Sequence, residues 1–145
     1  MKVVSLVERN GEKRSYRVPN VNPITLRPIL NAQIAAKARL MTDESGIYKR
    51  IGKAFGTHET VNHSAKEYSH GDVTTNTVES SFALLKCGLT GVFYSIGEQH
   101  LQRYVTEFDF RWNTRQKLGF SDTDRAAIVL KNIGGKRLTY RRTDA

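Results

Sequence analysis

A single cysteine, Cys87, is the only thiol among the 145 residues, which excludes an internal disulfide and a cysteine-rich zinc site. A reducing cytoplasm fits that composition, and Cys87 itself is expected to be a small buried or half-buried residue, not a nucleophile. No apolar run approaches the ~18 residues that a bilayer span needs. Charge interrupts the opening Met1-Lys2-Val3-Val4-Ser5-Leu6-Val7-Glu8-Arg9 early, so a secretory signal is not expected. Nor does any long helical pattern pair a cationic face with a bulky apolar one, as a membrane-surface helix does. Internal repeats and low-complexity stretches are also missing from the sequence.

Acidic residues are in the minority. The chain carries 23 Lys and Arg against 14 Asp and Glu, a formal charge of +9 with a pI near 9.9, and such an excess favours a polyanionic partner, nucleic acid above all. Residues 1–53 hold 11 basic and 4 acidic side chains, whereas residues 54–145 hold 12 and 10. A phosphate-facing surface is therefore expected to draw on the first third. With 39% hydrophobic residues spread along its length, the chain is read as one globular domain over 1–145.

Strands and helices alternate. Val3, Val4, Leu6 and Val7, then Asn10-Gly11, then Ser15-Tyr16-Arg17-Val18 predict a β-hairpin, because Asn-Gly supplies the positive φ angles of a tight turn. Thr25 is the expected N-cap of a helix to about Ala36, with Pro28 in its first turn. Residues 38–43 read as a short strand ending at Asp43, and the next helix sets Ile47, Ile51 and Phe55 on one stripe. Thr57 to His63 predicts another strand, and Ser64 to Thr75 a polar loop. A helix opened by Asn76 turns Val78, Phe82 and Leu85 inward and ends at Gly88. A longer helix over about 98–116 has an apolar face of Leu101, Tyr104, Val105, Phe108 and Trp112, opposite a row of Arg103, Glu107, Arg111 and Arg115. Ser121 with Asp124 forms a capping-box pattern for a last helix to about Ile133, followed by a basic tail over about 134–145.

Two acids stand where metal-dependent phosphoryl transfer wants them. That chemistry uses carboxylates converging on divalent ions about 3.5–4 Å apart, one ion activating the attacking oxygen and the other stabilising the leaving one. Asp43 at a strand's end and Glu79 in the first turn of a helix supply two hard oxygen ligands. Lys86, seven residues beyond Glu79, falls on the same helix face and can reach a phosphate. Plainer readings stand beside these: Asn76-x-x-Glu79 is also a capping box, Asp43 can simply start a turn, and Lys86 can be a solvated lysine. The Arg103 to Arg115 row can be an ion-paired surface worth only ~0.3–0.5 kcal/mol per pair. His58, His63, His70 and His100 lack metal-ligand spacing, Ser80-Ser81 lacks a nucleophile-elbow context, and Gly88, Gly91 and Gly97 follow no strand as a phosphate loop would.

Taken together, Asp72-Val73-Thr74-Thr75-Asn76-Thr77-Val78-Glu79, Leu84-Leu85-Lys86, His100-Leu101-Gln102-Arg103-Tyr104, Glu107-Phe108-Asp109-Phe110-Arg111-Trp112-Asn113 and Gly135-Lys136-Arg137-Leu138-Thr139-Tyr140 closely resemble the bacterial insertion-sequence transposases of the ISXO2-like group. The resemblance covers nearly the whole chain. It implies an α/β, ribonuclease H-like domain, a mixed sheet flanked by helices, that cuts and joins DNA strands with Mg²⁺ or Mn²⁺ in transposition. By the same resemblance Asp43 matches the second acid of an Asp-Asp-Glu triad and Glu79 the third. Asn76 competes for that third position, since some relatives carry Asn there. Lys86 matches a basic residue that holds the DNA end, and Arg103, Arg111, Lys136, Arg137, Arg141 and Arg142 are further expected DNA contacts.

The sequence departs from the group in one respect that matters. The first acid normally lies on a strand preceding the hairpin, and this chain begins at Met1 directly on the next strand, so the expectation is a carboxyl-terminal portion with little or no strand transfer of its own. Open strand edges are expected from the missing strand, with a homo-oligomer or strand borrowing as ways to cover them. Ser81 and Cys87, where the group commonly has an aromatic residue and an arginine, are smaller departures. Transposon-end DNA is the expected partner. The alternatives are a non-catalytic module that binds DNA or the parent transposase, and a ribonuclease H-like nuclease acting on RNA in a hybrid.

Overall fold

The computed structural model describes residues 2–65 and 69–135. Its first element is the expected hairpin, β1 (Lys2–Val7) against β2 (Lys13–Val18), antiparallel from Lys2↔Val18 to Val7↔Lys13. The connection is a five-residue loop, 8–12, not a two-residue turn. Glu8 N–H donates to the Glu12 carbonyl at 2.8 Å, and the left-handed residue is Asn10, at φ 58°, a conformation that asparagine tolerates. Helix α1 (Pro23–Gln33), strand β3 (Arg39–Asp43), helix α2 (Gly46–Ile51) with a short 3₁₀ turn, and strand β4 (Thr57–Val61) follow. Next come β5 (Ser69–His70), β6 (Val73–Thr74), α3 (Asn76–Gly91), α4 (Leu101–Asn113) and α5 (Asp122–Ile133). Strand β3 pairs in parallel with β4, and β5 pairs antiparallel with β6. The mixed α/β class is as expected, but the described strands form three separate pairs instead of one sheet.

Side-chain alternation makes the hairpin the middle layer of three. Val4, Leu6, Tyr16 and Val18 face α1 and α2, where Leu26 and Ile51 are fully buried and Leu30 and Phe55 nearly so. Val3 turns to the opposite side, where Leu85, Leu101 and Val105 from α3 and α4 form a second cluster with Phe82 and Phe108. Each such buried aliphatic side chain contributes roughly 1.5–3 kcal/mol.

Polar groups join α4 to β2. Asp109, on a helix otherwise buried through apolar residues, accepts from Ser15 N–H at 2.5 Å, from Ser15 Oγ at 2.7 Å and from Lys13 Nζ at 3.3 Å. Lys13 is only 2% exposed. Asn113 accepts from Lys13 N–H at 2.6 Å and donates to the Lys13 carbonyl at 2.9 Å, while Gln102 accepts from Arg17 N–H at 2.7 Å and donates to the Ser15 carbonyl at 3.0 Å. Three side chains on one helix face thus satisfy the outer backbone edge of β2 as a neighbouring strand would.

Several local expectations are corrected. Asn22, not Thr25, caps α1: its Oδ1 accepts from Thr25 N–H at 2.8 Å, and Pro23 takes the first helical position. Pro28 therefore lies inside the helix and removes a bond to the carbonyl of Ile24, a residue 86% exposed, where solvent can replace it. Gly88 does not end α3, which continues to Gly91; a Cβ at Gly88 would lie 2.2 Å from Phe108 Cζ, so the glycine permits the close approach of α3 and α4. The N-cap of α3 is Thr75 and not Asn76. Cys87 is exposed on the outer face of that helix. The polar loop after β4 contains the β5–β6 hairpin, whereas the Ser121–Asp124 capping box is present as expected. The tail from Lys136 lies outside the described residues.

Replacing Asp109 with Ala strands the Lys13 ammonium in a buried site together with an unpaired Ser15 amide. The expected loss of stability is about 3–5 kcal/mol, read from the denaturant midpoint and slope at neutral pH. A loss under about 1 kcal/mol would show that the Asp109 contacts are not what holds α4 to β2.

Candidate functional site

A cleft of about 940 Å³ lies between β1 and β3, with α1 and α3 also contributing to its lining. Asp43 and Glu79, 36 residues apart in sequence, both line it. Strand β3 delivers Asp43 at its C-terminal end, where Oδ1 accepts from Ser45 N–H at 3.1 Å in a turn that leads into α2. The first turn of α3 delivers Glu79, whose Oε1 accepts from Thr75 Oγ1 at 2.6 Å and lies 3.3 Å from His63 Nε2. Since the one hydroxyl proton of Thr75 points to Glu79, the 2.9 Å contact between His63 Nε2 and Thr75 Oγ1 has the imidazole as donor. Each acid therefore keeps one oxygen in a local bond and presents the other without a partner among the described residues.

A third acid, Glu44, shares the cleft but is committed elsewhere. Its two oxygens accept from Ser64 Oγ at 2.6 Å, Ser64 N–H at 3.1 Å and His63 N–H at 3.0 Å. The Ser64 hydroxyl, the largest influence, and the backbone donors hold its carboxyl at about 2, well below the usual 4.5. Glu44 thereby pins the turn after β4 that carries His63. Asp72 plays the corresponding part ahead of α3. Arg39 donates to both its oxygens, at 2.5 and 2.8 Å, Arg9 adds a bond at 3.1 Å, and this pairing, Arg39 first, lowers the Asp72 carboxyl to about 2. Arg39 also binds Glu59 on β4, so β3, β4 and the lead-in to α3 are tied at one guanidinium.

The remaining sequence-predicted residues fall elsewhere. Asn76 is the exposed first residue of α3 and does not line the cleft, whereas Glu79 does. Lys86 is exposed two turns along α3, beyond the lining. Arg103 and Arg111 are exposed on α4, Arg111 donating to Glu107 at 2.6 Å, and neither reaches the cleft. Lys136, Arg137, Arg141 and Arg142 are outside the described residues. Instead the basic side chains of the cleft are Arg9, Arg14 and Arg39, all from the cation-rich first third. His63, Thr75 and Glu44 were not among the expected site residues. Only the adjacency of Glu44 to Asp43 hints at a role in the sequence.

Carboxylate oxygens suit a hard divalent cation, and Asp43 and Glu79 are two such acids on the lining of one cleft. They do not make a two-ion site: among the described residues no three His, Cys, Asp or Glu side chains converge to hold a metal.

The fold is a mixed α/β domain with two acids on one cleft, and the family match is more specific than that architecture. The ISXO2-like transposase domain matches residues 1–113, and the chain belongs to that family. Membership suggests a role in transposition and implies DNA binding, and transposases of this type typically use divalent metal ions. No curated protein and no solved structure matches the chain. Among the described residues no helix is long and apolar enough to cross a membrane.

The Glu44 anchor predicts an acid-limb effect. A carboxyl held at about 2 in the folded state and near 4.5 when unfolded stabilises the fold fully above pH 4.5, and the contribution is lost as pH falls toward 2. Ser64→Ala removes the main cause. The expected result is a rise of the Glu44 midpoint toward 4.5 in a carbon-detected NMR titration, and an unchanged midpoint would reassign the shift to the backbone donors.

Proposed function

We propose that this domain performs DNA strand cleavage and joining in transposition on a ribonuclease H-like scaffold, with Asp43 and Glu79 as the acids that bind a divalent ion, Mg²⁺ or Mn²⁺. The supporting observation is that these two residues, distant in sequence, line one cleft in a chain of the transposase family. The ion, when bound, supplies positive charge to the phosphate being attacked. Ser45 N–H holds one oxygen of Asp43, and Thr75 with His63 holds one oxygen of Glu79, so that each acid retains a second oxygen for the ion. Asn76, outside the lining, keeps the third position only as an alternative to Glu79. Lys86, exposed two turns beyond Glu79, is the expected contact to the DNA end, with Arg103, Arg111 and the basic tail as further phosphate contacts.

One observation favours a second reading. Because no group of three His, Cys, Asp or Glu side chains among the described residues is placed to hold a metal, the domain can instead be a non-catalytic module that binds DNA or a partner transposase, possessing the scaffold without the chemistry.

The two readings separate on duplexes that carry the element's terminal inverted repeats, assayed with Mg²⁺ and with Mn²⁺. Under the first, nicking at the repeat end falls by at least about a hundredfold in Asp43→Asn and in Glu79→Gln, while binding of the duplex is retained. Under the second, no nicking occurs, and log affinity still declines with log salt at roughly −0.9 per phosphate neutralised. Binding that ignores salt would refute both.

A further inference from the structure

We infer that Lys37, Lys49, Arg50 and Lys53 form a phosphate-binding surface that holds a second DNA duplex, on the side of the domain away from Lys86, Arg103 and Arg111. The inference rests on the DNA binding that the family implies, and not on cleavage by Asp43 and Glu79.

Counter-ions divide the basic residues of the first third into two sets. Arg9, Lys13, Arg14, Arg17 and Arg39, all on the hairpin or β3, each have an acidic partner. Lys2 donates to Asn20 at 3.1 Å. By contrast, Lys37, Lys49, Arg50 and Lys53, and Arg27 on α1, are exposed, and no acid among the described residues pairs with them. The acids nearest in sequence are engaged elsewhere: Asp43 lines the cleft, Glu44 accepts from Ser64 and His63, and Glu59 binds Arg39. A cluster of cations without compensation is the electrostatic footprint of a polyanion.

The fold brings four of these cations together. Ile47 and Ile51 turn α2 inward onto the first core, which leaves Lys49, Arg50 and Lys53 on its outer side, within about one helical turn of one another along α2 and the 3₁₀ turn after it. Lys37 joins them from the chain ahead of β3. Its carbonyl would lie 2.6 Å from a Cβ on Gly56, three residues past Lys53. From Lys37 the chain runs along β3, turns at Asp43 and returns along α2 to Lys53. The patch thus sits at the far end of both elements from Asp43, roughly 15 Å away for a five-residue strand.

Layer order makes this a separate surface. Helices α1 and α2 cover one side of the hairpin, and α3 and α4, with Lys86, Arg103 and Arg111 exposed on them, cover the other. Helices about 10–12 Å thick on either side of a strand layer put the two outer surfaces roughly 30 Å apart. A straight duplex laid along one does not reach the other, and wrapping a single short duplex around the domain works against a persistence length of about 50 nm. Two duplexes, one on each side, need no such bending. Lys49 and Arg50 also suit the carbonyl end of α2, but that role acts on stability and does not bring two DNA molecules together.

The test uses the full chain in EDTA with two short blunt duplexes, one carrying a donor dye and the other an acceptor. The wild-type chain is expected to bring them together, giving energy transfer that falls steeply as salt rises. Combining Lys37→Gln, Lys49→Gln, Arg50→Gln and Lys53→Gln should remove the transfer while one duplex still binds. Lys53→Gln alone should leave the transfer measurable and reduce its log-log salt slope by roughly 0.9. A control, Lys117→Gln with Lys131→Gln, removes two exposed cations outside the patch and should preserve the transfer. Transfer that survives the fourfold change, transfer that the control also abolishes, or loss of all duplex binding in the fourfold variant would overturn the second surface. A wild-type chain that binds one duplex and never two would overturn it and leave the DNA reading standing, whereas a chain that binds no duplex would overturn both.

Discussion

The polar seam between α4 and β2 is the constraint on which the rest depends. Asp109 binds two groups of Ser15 and the ammonium of Lys13, and Asn113 and Gln102 take the backbone groups on either side. Burying a carboxylate and an ammonium is costly unless they are paired, and here Asp109 pairs with Lys13 while also accepting from Ser15, so α4 has one register on the hairpin and not several. Once α4 is fixed, Gly88 lets α3 lie close against it at Phe108, and the start of α3 is placed over the cleft. The position of Glu79 thus follows from a contact made on the far side of the hairpin.

The cleft is organised by two carboxylate anchors. Asp72 with Arg9 and Arg39, and Glu44 with His63 and Ser64, each tie two chain segments together, and each is a carboxylate held near pH 2 by its donors. Their effect is positional. The first sets the entry to α3 against β3, and the second sets His63 against Thr75 and Glu79. The positions of Asp43 and Glu79 are set by local neighbours that sequence pattern did not single out.

Much of the fold was legible, for identifiable reasons. The hairpin announced itself by alternation around Asn10-Gly11, and α5 by Ser121 and Asp124, because these signals are local. Errors arose where two local signals competed. Asn22 with Pro23 outranked Thr25 as the start of α1, and Gly88 looked like a helix end when its missing side chain serves packing against a residue 20 positions away. Cys87 is exposed although cysteine is usually buried, since its position on α3 faces away from both cores. Arg103 and Arg111 lie in a row on one helix face, and the arginines that line the cleft come from the hairpin and β3.

Sequence alone determined the α/β class, the excess of positive charge and its weight in the first third, the two candidate acids, and membership in the transposase family, because composition, short-range periodicity and ordered motifs need no knowledge of what touches what. Only the tertiary structure decided that Asp43 and Glu79 share a cleft while Asn76, Lys86, Arg103 and Arg111 stay off it. Those relations depend on how α3 and β3 are set against the hairpin. That placement is made by buried polar contacts between residues as much as 100 positions apart, which no local pattern encodes.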